Sequence, residues 1–106
     1  MKNLKLFIDD TRPVPHGFIL AKSVEEALNQ CKYQQFEQIS LDYNLGFRKE
    51  TGLDFIKRFF EESYYVQHIN LHSDDVFGVH KMENAINAHI IEETKQKIKI
   101  TKISYS

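Results

Sequence analysis

Three short apolar runs in this chain each stop on side chains that titrate. Leu4-Lys5-Leu6-Phe7-Ile8 runs into Asp9-Asp10, Ile39-Ser40-Leu41 runs into Asp42, and Ile69-Asn70-Leu71 runs into His72-Ser73-Asp74-Asp75. Short runs rich in β-branched and aromatic residues, closed by turn formers, read as buried strands. Helical patterns separate them, and strands alternating with helices build a parallel sheet. In an open parallel sheet, ligands sit outside the carboxyl ends of the strands. The simplest arrangement gathers all three tips into one site.

The rest of the chain fits that frame. Pro13 and Pro15 exclude helix from the loop after the first strand, and Phe18-Ile19-Leu20-Ala21 is a short second strand. Ser23 with Glu26 has the pattern of a capping box. Val24, Ala27, Leu28 and Cys31 follow at helical spacing. Thr51 and Asp54 open a second helix with Leu53, Ile56, Phe59 and Phe60 on its inner stripe, and the next strand runs from Val66 to Leu71. Residues 76–93 read as a third helix, N-capped by Asp74 or Asp75. The tail alternates Lys97, Lys99 with Ile98, Ile100, which suits a sheet edge where lysines discourage further pairing. The order is β-β-α-β-α-β-α-β. The expectation is one α/β domain over residues 1–106, a three-layer sandwich with a mostly parallel five-stranded sheet.

Composition narrows the function classes. The net charge is −1 and both signs are mixed along the chain, so bulk electrostatics gives no nucleic-acid patch and no membrane affinity. A partner of either kind must be held by a local site. No apolar stretch approaches the roughly 18 residues that span a bilayer, and the start enters a strand pattern without a leader signature. Cys31 is the single cysteine. It cannot form an internal disulfide and reads as core, which fits a reducing, cytoplasmic location. There is no phosphate-binding glycine loop ending in Lys-Ser/Thr and no nucleophile elbow.

The tips carry the chemistry. Asp9, Asp10 and Asp42 would repel one another unless a cation intervenes. Carboxylates in this number suit Mg²⁺, which keeps several waters and takes few protein oxygens. Each acid can also be a solvated loop residue or a cap. Arg12 can grip a phosphate with two N–H groups, or pair with Asp9 or Asp10. His72 can transfer protons near neutral pH, and the Ser73 hydroxyl can donate to a phosphate oxygen. Neighbours on a strand point to opposite faces, so the two need not share the site. Gly78 permits a close backbone approach or is incidental. His16, His68 and His89 match no zinc spacing.

An acidic pair after the first strand, an Asp after the third and a Ser or Thr after the fourth resemble the response-regulator receiver domain, a flavodoxin-like fold. A closer resemblance is to the cyclic-phosphate processing receiver domain. It is carried by Ile8-Asp9-Asp10-Thr11-Arg12-Pro13, Ser40-Leu41-Asp42-Tyr43-Asn44-Leu45-Gly46, Thr51-Gly52, and His72-Ser73 with Gly78 and Met82. Tyr43-Asn44 stands where that pattern has His-Asp, and Asp75-Val76 where it has Asn-Pro. The resemblance implies Mg²⁺ on Asp9, Asp10 and Asp42, and a phosphoesterase-like activity on a phosphate ester such as a 2′,3′-cyclic phosphate of a nucleotide or RNA end. Asp42 and His72 are the expected catalytic groups. Arg12, Ser73 and Asn44 are the expected substrate contacts. Two other readings stand beside it: a stand-alone receiver phosphorylated on Asp42 that switches a protein partner, and a binding module without chemistry.

Overall fold

All five strand-like runs join one sheet in the computed structural model, which describes residues 3–93 and 95–103. The strands are β1 (Lys5–Ile8), β2 (Ile19–Ala21), β3 (Gln38–Leu41), β4 (His68–His72) and β5 (Lys99–Ile103), and the helices are α1 (Val24–Tyr33), α2 (Gly52–Glu61) and α3 (Val76–Glu92). The sheet order is β2-β1-β3-β4-β5 and every pairing is parallel. This is the α/β, receiver-like arrangement expected from the sequence. Ile8 lies opposite Leu41 and Leu41 opposite Leu71. The strands therefore end in one row, and the residues that follow them come out side by side.

Three crossovers, β2-α1-β3, β3-α2-β4 and β4-α3-β5, run in one direction along the sheet. Right-handed crossovers of that kind stack their helices together, and α1 packs on α2 and α2 on α3. Leu6, Ile8, Ile39, Leu41, Ile69 and Leu71 face them and form the core with Val24, Phe55, Ile56, Phe59, Met82 and Ile86. Alternation puts Phe7, Ser40, Asn70 and His72 on the other face. There Phe18, from the loop before β2, stands edge-on to Phe7 at 6.1 Å.

Caps set the helix starts. Thr51 and Asp54 make a full reciprocal capping box. Ser23 accepts from the Glu26 N–H, but the Glu26 carboxylate turns to the Lys22 N–H, 3.3 Å away, and not to that of Ser23. Asp75, rather than Asp74, caps α3 through the Gly78 N–H at 2.8 Å. Cys31 is core, and burial pushes its thiol up to about 12. Among the described residues, no helix is long and apolar enough to cross a membrane.

Candidate functional site at the strand tips

The aligned strand ends bring three carboxylates together. Asp9, Asp10 and Asp42 each offer an oxygen within 4.8 Å of the others. Asp9 is fully buried and Asp42 nearly so. The backbone holds them there. Asp9 N–H donates to the Ala21 carbonyl and Asp42 N–H to that of Ile8, both at 3.1 Å. Gly52 N–H donates to the Tyr43 carbonyl at 2.8 Å. A side chain at Gly52 would put its Cβ 2.3 Å from the Asp42 carbonyl oxygen, so α2 can start this close to the acid only with glycine.

Arg12 lies between the acids. Its Nη1 donates to Asp9 at 3.0 Å and to Asp42 at 3.1 Å, while Nη2 donates to Asp74 at 3.1 Å. Asp9 is saturated. Its Oδ1 accepts from the Thr11 and Arg12 N–H groups, and its Oδ2 from the Arg12 guanidinium and His72 Nε2. Burial alone would raise the Asp9 pKa, but these four bonds outweigh it and hold the carboxyl below its ordinary value. Asp42 goes the other way. Burial raises its pKa and the Asp9 charge adds to that, against bonds from Ser73 and the Tyr43 backbone and the pull of Arg12. The Arg12 pKa is raised, first by its bond to Asp9.

His72 is fully buried behind Asp9, stacked flat on Phe7 at 4.4 Å. Burial lowers its pKa against the opposing pull of Asp9. The neutral ring has a determined tautomer. An ionised carboxylate only accepts, so Nε2 carries the proton and donates to Asp9 at 3.0 Å. Nδ1 then accepts from the Ser40 hydroxyl at 2.6 Å. Ser40 accepts from Asn70 Nδ2 at 3.1 Å, and Asn70 Oδ1 accepts from Thr101 at 2.7 Å. The Thr101 hydrogen is thereby used, so His68 Nε2, 2.8 Å away, donates to it. Five hydrogen bonds run across the sheet with every donor pointing toward Asp9.

A family model described as the cyclic-phosphate processing receiver domain matches residues 4–88. The chain belongs to that family. No curated protein matches the chain. In this cyclic-phosphate processing receiver domain, the matched residues include every acid of the cluster together with Arg12, His72 and Ser73.

The open side of the domain's acid cluster is a cleft of about 810 Å³. Asp10, Arg12, Asp42, Asn44, Ser73 and Asp74 reach it, whereas His72 and Asp9 stand behind. Ser73 accepts from the Asp75 N–H at 3.2 Å, and Asn44 Nδ2 lies 3.5 Å from Asp75. Tyr43, also on the cleft wall, lies over Gly78, where an added Cβ would fall 2.3 Å from its ring. Gly78 is thus a close approach and not incidental. Lys102, on β5, pairs with Glu83 of α3 at 3.3 Å. The donor set of the cluster, carboxylate oxygens alone, fits a hard divalent cation, and Arg12 shows that positive charge is stable between Asp9 and Asp42.

Proposed function

We propose that this domain is a magnesium-dependent phosphoesterase that opens a cyclic phosphodiester. The observation that carries the proposal is the Asp9–Asp10–Asp42 cluster with a guanidinium at its mouth, in a family described by cyclic-phosphate processing. Five carboxylates, Asp9, Asp10, Asp42, Asp74 and Asp75, face three cations, Arg12, Arg48 and Lys49. That balance repels a phosphate, and one divalent ion cancels it. Bound at Asp9, Asp10 and Asp42, the ion would neutralise phosphate charge and polarise the phosphorus.

The reaction adds one water to phosphorus and breaks one P–O ester bond, leaving a phosphomonoester and a free hydroxyl. Asp42, at the open side of the cluster, accepts the proton of the water. Arg12, Ser73 and Asn44 hold phosphate oxygens. His72 has no open path to a ligand. We assign it a positioning role, holding Asp9 through Nε2. The phosphate is that of a small nucleotide or an RNA end. The buried, unpaired Cys31 suits a reducing compartment, and we place the domain in the cytoplasm.

The test incubates the domain with Mg²⁺ and a panel of cyclic and acyclic phosphates beside Asp42→Asn, reading product and intact protein mass together. Metal-dependent ring opening that disappears in the variant is the expected result. Turnover equal in the variant overturns the reading. The Ser73 hydroxyl bonded to Asp42 also fits a receiver that takes a phosphoryl group on Asp42. A mass gain of one phosphate without product would select that function.

A further inference from the structure

We infer that the groove between α3 and β5 binds the heteroaromatic base of a nucleotide substrate, beside the phosphate site. The inference rests on the phosphoesterase reading for the phosphate and adds what the substrate must carry.

The groove holds about 530 Å³, inside the range of about 300–1,000 Å³ usual for small-ligand pockets. Its floor is Leu71, and Val76, Phe77, Val79 and Ile103 give it an apolar side. Val76 is 77% exposed, Phe77 81% and Ile103 49%. The packing of α3 does not use these residues, since the helix is anchored by Gly78, Met82 and Ile86. Single exposed apolar side chains are ordinary, but a contiguous set beside a polar site marks binding.

Continuity with the acid cleft names the occupant. Ser73 and Asp74 line both cavities. A phosphate that meets Ser73 therefore places its attached sugar at the mouth of the groove. An aromatic face such as Phe77 takes a base by stacking, whatever the base. The far wall carries the Glu83–Lys102 pair, one acceptor and one donor group able to meet a base edge. These two charges cancel, which suits a neutral ring and not a second phosphate.

The experiment is an amide NMR titration of the full chain with Mg²⁺ and three probes: adenosine 2′,3′-cyclic phosphate, the base-free glycerol 1,2-cyclic phosphate, and adenosine. The nucleotide is expected to shift Ser73 and Phe77 together, the base-free phosphate only the acid cleft, and adenosine only the groove. Phe77→Ala, at an exposed position, is expected to weaken the nucleotide about tenfold and leave the base-free phosphate unchanged. Equal affinities for the two phosphates, or an equal loss in both, overturn the groove assignment while the phosphate site stands. Shifts at Phe77 with adenosine, but none in the cleft with glycerol cyclic phosphate, retain the groove and overturn the phosphate site. Concentration-dependent shifts at Val76 and Phe77 without ligand, unaffected by adenosine, assign the groove to a second copy and overturn the inference.

Discussion

Replacing Arg12 by glutamine is expected to tighten divalent-ion binding, the opposite of what loss of a site residue usually does. A carboxylate has about four acceptor positions, and all four on Asp9 are filled. The Thr11 and Arg12 N–H groups are fixed by the backbone, and His72 is walled in by Phe7 and Ser40. Only the guanidinium can leave. It must, because unit charges ~4 Å apart at an effective dielectric of ~20 interact by about 4 kcal/mol, and a divalent ion doubles the repulsion. Leaving forfeits the bonds to Asp9 and Asp42, at 3.0 and 3.1 Å, each worth about 1.5–3 kcal/mol as a charged hydrogen bond. The side chain is 25% exposed and regains water on release, so about half of that sum survives. The surviving cost corresponds to an ion affinity roughly tenfold to a hundredfold tighter in Arg12→Gln. Calorimetric titration with Mg²⁺ at low and physiological salt measures it directly. An Arg12→Gln protein that binds Mg²⁺ no better than the parent refutes the argument, and with it the idea that Arg12 guards the cluster until an ion enters.

Two further expectations concern stability. Asp42→Asn should stabilise the ion-free protein at pH 7 by roughly 1 kcal/mol, about 4–8 °C in Tm for a domain of this size. The folded pKa of Asp42 is raised, so its carboxyl costs stability as pH climbs from the unfolded value toward the folded one. The gain should therefore vanish below about pH 4, and thermal melts showing the same gain at both pH values would refute it. Gly78→Ala should drive the Tyr43 ring off α3 and cost about 1–3 kcal/mol as overpacking, less up to about 1 kcal/mol of helix propensity. Denaturant unfolding of both single variants and of the double variant with Tyr43→Ala checks this, because Gly78→Ala should cost nothing further once the Tyr43 ring is gone.

Much of the architecture was legible because it follows from periodicity. The runs ending at Ile8, Leu41 and Leu71 are strands, and their tips share one end of the sheet because every pairing is parallel and in register. The acid cluster follows from that row alone. Other features depend on long-range geometry that no local pattern carries. Thr51 with Asp54 and Ser23 with Glu26 are equivalent as sequence, yet only the first closes a reciprocal box. Asp74 and Asp75 are equivalent too, until one caps α3 and the other meets Arg12 across the site. Lys102 could be placed only once β5 was seen beside β4, with its side chain toward Glu83.

The roles of His72 and Arg12 turn on the same distinction. At a strand tip, a histidine and an arginine are equally good candidates for meeting a ligand. Side-chain parity separates them. His68, Asn70 and His72 alternate along β4, and polar residues at every second position of a buried strand need partners on their own face. Ser40 and Thr101 answer them from β3 and β5. His72 is therefore committed to that network and reaches the cleft only through Asp9. Arg12 comes from the loop, where no sheet face claims it, and its guanidinium can move. One residue makes Asp9 rigid while the other keeps the cluster's charge adjustable, the two properties that the proposed ion-binding phosphate site needs together.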